Sequence, residues 1–134
     1  EERVWIDGLN GILRLSNEAG KARLRLLGSA GWIIAYGSGG KKRFVLEGSK
    51  GILRLNDSAG KMRLYLKGKD GQIIALDSAG KPRFYLFGSD GIIRAYNKAG
   101  KRRLQLSGPK GRIEAYDSGE SGGLGSMGKP ERSL

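Results

Sequence analysis

No cysteine and no histidine occurs among the 134 residues. The first absence excludes disulfides and thiolate metal sites, and it leaves the redox compartment open. The second removes the commonest general acid–base and the commonest nitrogen ligand for a metal. Long apolar runs are also missing: nothing approaches the roughly 20 residues that a membrane-crossing helix needs. The opening residues, "EERVWIDG", lack the basic-then-hydrophobic order of a secretory leader, although a leader already removed is compatible with them. Prolines number 3 and acidic side chains 13, against 25 lysines and arginines, so the formal net charge is +12.

Glycine, by contrast, is abundant, with 24 copies, most of them in strict register. It stands at 8, 28, 48, 68, 88 and 108, again at 11, 31, 51, 71, 91 and 111, and at 20, 40, 60, 80 and 100. That is a twenty-residue repeat with no insertion. Arginine holds 3, 23, 43, 63, 83 and 103, while lysine holds 21, 41, 61, 81 and 101. The array runs over residues 1–116 with its first copy incomplete and no evident polar cap, as if it docks on something or continues. Residues 117–134, "DSGESGGLGSMGKPERSL", lose the register and read as a polar, Gly/Ser-rich tail.

Each copy holds two short apolar stretches in which alternate residues match, as in "GILRLNDSAGKMRLYLKGKDG". Leu53 and Leu55 lie two apart, as do Leu64 and Leu66. This is the period of a strand, and five to seven residues are too few for a stable helix. The expectation is all-β: twelve strands in β-turn-β repeats. The inward rows would be Leu13, Ile33, Leu53, Ile73, Ile93 and Ile113 beside Leu15, Ala35, Leu55, Ala75, Ala95 and Ala115, facing the pairs 24/26, 44/46, 64/66, 84/86 and 104/106. Two arrangements satisfy that pattern, an elongated β-solenoid or fibre-like repeat with arched turns, or an antiparallel β-meander of hairpins.

Register is sensitive to parity. A bulge glycine in "DSAGK" pairs Leu55 with Arg63, whereas a loop without it pairs Leu55 with Met62 and Leu53 with Leu64. The latter sets Arg54 against Arg63, and a solenoid stacks Arg23, Arg43, Arg63, Arg83 and Arg103 about 4.8 Å apart. Either crowds the arginines. The outward rows carry Trp5, Trp32, Ile34, Tyr36, Tyr65, Ile74, Tyr85, Phe87, Tyr96 and Tyr116, a surplus of large apolar groups that points to a covered second surface and to self-association.

The units "IRAYNKAGKRRLQLSG", "IIALDSAGKPRFYLFG" and "LRLNDSAGKMRLYLKG" resemble the Y/L-D-x-x-G-K-x-R-x-x-L repeats of bacteriophage tail-fibre, tail-associated and related bacterial surface proteins. That resemblance spans residues 3 to 116. It implies an elongated β-structured shaft, commonly trimeric, acting as a spacer or host-contact element in an extracellular or virion setting. The near-uniform copies equally suit a designed or consensus array. "DGQIIALDSAGK" is similar to quinoprotein-type propeller blades, and the period matches choline-binding cell-wall repeats. A blade needs about forty residues, however, and the paired tryptophans of choline sites are missing.

Chemistry narrows the function further. Asp57, Asp70, Asp77 and Asp90 fall in turns, where aspartate caps its own backbone. No partner histidine or cysteine accompanies them, so the chain is not expected to be an enzyme or to hold a metal or cofactor. The G-G-x-G-x-D pattern of calcium β-rolls and the G-x-x-x-x-G-K-[ST] phosphate loop are both absent. What stands out is basic charge: without the tail's Lys129, Arg132, Asp117, Glu120 and Glu131, the array keeps 23 basic and 10 acidic residues. Arg23, Arg43, Arg63, Arg83 and Arg103 beside Lys21, Lys41, Lys61, Lys81 and Lys101 are therefore candidates for two duties. They form either a strip for a polyanion such as nucleic acid, lipopolysaccharide or sulfated glycan, or structural contacts to backbone carbonyls and neighbouring chains. The reading that follows is a structural repeat protein, homo-oligomeric as a trimer or filament, with polyanion binding as the alternative.

Overall fold

The computed structural model describes residues 3–116; the tail assigned to 117–134 lies outside them. Twelve strands follow one another: β1 (Val4–Asp7), β2 (Ile12–Ser16), β3 (Ala22–Leu27), β4 (Trp32–Tyr36), β5 (Lys42–Glu47) and β6 (Ile52–Asn56), then β7 (Met62–Lys67), β8 (Gln72–Leu76), β9 (Pro82–Phe87), β10 (Ile92–Tyr96), β11 (Arg102–Ser107) and β12 (Arg112–Ala115). Each strand pairs antiparallel with the next, giving a single open sheet in sequence order. The turns are hairpins rather than arches. Of the two arrangements the sequence permits, the chain adopts the meander, and the stacked coils of a β-solenoid are not formed.

Turns alternate between two types, one along each side of the sheet. At Asp57–Gly60 the Gly60 amide donates to the Asp57 carbonyl at 2.9 Å, and the Asp57 amide donates to the Lys61 carbonyl at 2.8 Å. Gly60 sits at φ +82°, the left-handed conformation that closes this kind of hairpin and that a side chain disfavours. Along the other side, the loops 28–31 and 48–51 touch backbone to backbone, with the Gly48 amide donating to the Gly31 carbonyl at 2.7 Å. A Cβ at residue 48 would lie 2.7 Å from that carbonyl oxygen, so the approach itself requires glycine. Equivalent bonds join Gly28 to Gly11, Gly68 to Gly51, Gly88 to Gly71 and Gly108 to Gly91, extending the ladder into the loops.

Register departs from both expectations. Leu55 pairs with Leu64 and Leu53 with Leu66, while Asn56 pairs with Met62. Arg63 is therefore an extra residue without a partner, a second bulge in addition to the one at the turn glycine. Together the two irregularities restore parity, so leucine meets leucine and Arg54 faces Tyr65 instead of Arg63. The same step skips Arg23, Arg43, Arg83 and Arg103. The anticipated crowding of arginines is relieved wherever the row bulges out. One direct arginine pair remains, Arg14 opposite Arg25.

This register makes the two faces of the sheet unlike. One face receives two side chains from every strand, all aliphatic or phenylalanine, such as Leu24 opposite Ala35, Ala35 opposite Phe44 and Phe44 opposite Leu55. These are the rows expected to point inward. The other face mixes Trp32, Ile34, Tyr36, Val45, Tyr65 and Tyr85 with Arg25, Glu47, Arg54 and Lys67. Burial reverses the expectation: Ile34 and Val45 are the buried apolar residues, with Glu47 and Ser107 the buried polar ones, and all four lie on the mixed face. No residue of the aliphatic face is buried among the described residues. Nothing in a single layer covers short branched side chains, whereas long Trp, Tyr and Arg side chains lie down over their neighbours.

Candidate functional site

The bulge aims the arginine of each copy along the sheet edge toward the following turn. Arg63 donates through Nη1 to the carbonyl of Asp77, fourteen residues on, and through Nη2 to the Asp57 carboxylate of its own turn. Arg83 repeats this one copy later, donating to the Asn97 carbonyl and to the Asp77 carboxylate. Asp77 thus takes part twice, its carbonyl accepting from Arg63 and its carboxylate pairing with Arg83. The result is a relay that ties each turn to the next. Arg23 reaches the Gly37 carbonyl, Arg43 reaches the Asn56 carbonyl through Nε at 2.9 Å, and Arg103 reaches the Tyr116 carbonyl at 3.0 Å. Every member of the row expected at 23, 43, 63, 83 and 103 is used within the chain.

Aspartate completes the turn from inside. Oδ1 of Asp57 accepts from the amides of Ala59 and Lys61, both at 2.9 Å, and Asp77 does the same with Ala79 and Lys81. Asn17 and Asn97 supply the same cap to Lys21 and Lys101, which shows that the cap needs an oxygen and not a charge. The Lys61 amide, followed by the Arg63 guanidinium, holds the Asp57 carboxyl below its ordinary value, and the Lys81 amide with Arg83 acts alike on Asp77. Asp70 is lowered instead by its bond from the Lys67 ammonium.

The lysine row behaves differently. Lys21, Lys41, Lys61, Lys81 and Lys101 are all exposed, and their backbone groups rather than their ammonium groups complete the turns, the amide in four copies and the carbonyl at Lys41. The two basic rows that the sequence places side by side therefore separate, arginine into the fold and lysine into solvent.

On the mixed face, Glu47 is 2% exposed; its Oε1 accepts from Arg54 and its Oε2 has the Lys50 ammonium at 3.3 Å. The carboxylate is enclosed by its own cations. Farther along, Tyr85 and Phe87 stack with centroids 5.4 Å apart, Tyr96 meets Tyr85 edge-on at 5.6 Å, and Arg94 lies 5.7 Å over the Phe87 ring. Near the end of the array, Arg102 lies 4.6 Å over Tyr116, whose hydroxyl donates to Glu114 at 2.5 Å. That bond raises the tyrosine above its ordinary value and lowers the carboxylate.

Among the described residues no three carboxylates converge as a metal site would require. Glu47 and the Asp–Arg relay escape sequence reasoning for different reasons. The relay has a readable trace, since Asp57 and Asp77 each precede an arginine by six residues; Glu47 has little, because only Asp7 is acidic among the aspartate, leucine, lysine, phenylalanine and serine that occupy its place in other copies. No protein-family model and no curated protein matches this chain.

Proposed function

We propose that the chain is a non-enzymatic structural module, a β-ribbon whose work is spacing, assembly or surface attachment, in keeping with its resemblance to tail-fibre and bacterial surface repeats. The observation that carries this reading is the commitment of the arginine row to neighbouring turns. The most regularly placed charged groups are spent on continuing the array, and each copy leans on the next in the manner of a one-dimensional repeat protein. In such a module, length is the quantity that repeat number sets.

Excising residues 61–80 removes one copy in register and tests the reading directly. Two strands fewer should shorten the particle by roughly 10 Å in small-angle scattering while the strand circular-dichroism signal and cooperative melting persist. A deletion that abolishes folding, or leaves the long dimension unchanged, defeats the proposal.

Polyanion binding stands as a second reading, favoured by one observation: the lysines at 21, 41, 61, 81 and 101 are exposed along a single edge of a chain of net charge +12. Retention on heparin that falls steeply with salt supports it, and weak retention removes it.

A further inference from the structure

The surface that the chain leaves most unfinished is its aliphatic face. Its paired positions carry no polar side chain from Val4 and Ile6 on β1 to Ile113 on β12, and even Leu55, on a central strand, is 36% exposed. The opposite face of the same layer closes over Ile34 and Val45, at 3% and 6% exposure, because long side chains lie across them, whereas the shorter side chains here leave one another partly open.

Extent and relief indicate what fits there. Twelve strands at about 4.8 Å, each some five residues long, give a face of roughly 50 Å by 16 Å, on the order of 800 Å², which is the contribution of each partner to a stable interface. A helix, at about 10 Å diameter, covers a stripe of it; another sheet covers all of it. The relief alternates in part: Ala35, Ala75 and Ala95 stand opposite Phe44, Phe84 and Leu104, while Leu15 and Leu55 hold the small position in two other copies, and side chains of two inner sheet faces pack by interdigitating large against small. A surface of the same length, the same period and the same alternation belongs to another molecule of this chain. No cation or carboxylate stands at a paired position of the face, and the bulged arginines with Asp57 and Asp77 flank it along one edge, so closing its centre buries no charge.

Resting on the structural-module reading, we propose that this face packs against the same face of a second copy, forming a two-layer sandwich with the aromatic, arginine-bearing face outward. The pairing is isologous, each copy offering the same patch.

The absence of cysteine makes a single thiol a clean reporter. Ala75→Cys places one on the aliphatic face of β8, and Gln72→Cys places one on the other face of the same strand. Alkylation rates are measured across a dilution series alongside the mass by light scattering. The expected result is a mass of at least twice the 14.5 kDa chain and, over the same concentrations, about tenfold slower alkylation of the Ala75→Cys thiol but not of the Gln72→Cys thiol. Leu66→Lys, on the same face, should return the mass to that of a single chain. Equal reactivity of the two thiols within an oligomer overturns the proposal while leaving the module reading intact, since the copies then meet elsewhere, for instance by β1 pairing with β12. A monomer at every concentration overturns it too, as does protection of the Ala75→Cys thiol only when anionic phospholipid vesicles are added. Failure of the module reading shows separately, in the one-repeat deletion.

Discussion

The two faces of this sheet share one backbone, one set of turns and one strand spacing, yet they bury their side chains to different degrees. Ile34 and Val45 are enclosed by the chain itself, among Trp32, Tyr36 and the stems of charged residues; Leu46 and Leu55, one residue away in register, are not. Reach accounts for the difference. An arginine or tyrosine can lie across two neighbouring strands, whereas leucine, isoleucine and alanine stand upright and cover only what touches them. A single layer therefore finishes a mixed face by itself and leaves a purely aliphatic one to a partner. Hydrophobicity of a row and burial of a row are separate properties, and here the more hydrophobic row is the less buried.

The sharpest way to break this comparison is to truncate adjacent residues on β5. Val45→Ala should lower stability by about 2 kcal/mol at any protein concentration, because its neighbours belong to the same chain. Leu46→Ala should cost less than that in dilute solution and about 2–5 kcal/mol where copies have associated, since its burial then comes from association. Denaturant melts at two concentrations read both, and a Leu46→Ala penalty that ignores concentration removes the distinction between the faces.

A smaller effect tests whether the edges act independently of either face. Arg63→Lys keeps the charge but loses the planar fork that spans the Asp77 carbonyl and the Asp57 carboxylate, so stability should fall by about 1–2 kcal/mol, while heparin retention and the concentration dependence of melting stay as they were. Unchanged melting in this variant would show that the relay holds nothing.

Smallest of all is a change visible mainly in acid. Asp57 and Asp77 are held below the ordinary 3.8 in the folded chain, chiefly by the Lys61 and Lys81 amides and then by arginine. Their contribution is present above that value and is lost as pH falls through the lower folded one. Asp57→Asn, which keeps the oxygen cap seen at Asn17 and Asn97 but loses the charge that pairs with Arg63, should lower the neutral-pH melt slightly and flatten the acid limb of the melting-temperature profile. An acid limb as steep as that of the parent assigns the acid sensitivity to other groups.

Much of this was legible beforehand in particular residues. Gly60 and Gly80 announced left-handed turns, Asp57 and Asp77 announced turn caps, and the two-residue spacing of Leu53 with Leu55 announced strands. The membership of the aliphatic face could be read from β2 to β12, because side chains alternate in a strand whatever lies beside it, though Val4 and Ile6 of β1 were not among the expected rows. The choice between arches and hairpins could not, since both use the same glycines. Nor could the bulge at Arg63: local chemistry supports a strand with or without it, and only the match of Leu55 with Leu64 across the hairpin selects one.

The sequence by itself therefore determined the period, the strand state, the turn positions and the composition of each face, all of which follow from the conformations of a few neighbouring residues. Tertiary structure alone decided the register, the Arg63 contact with a carbonyl fourteen residues away, and the inversion by which the aliphatic rows stay half-buried or exposed while Val45 and Glu47 are enclosed. The reason is that each of these depends on what the adjacent strand presents at a given height. A one-residue step there changes every partner without changing a single local preference.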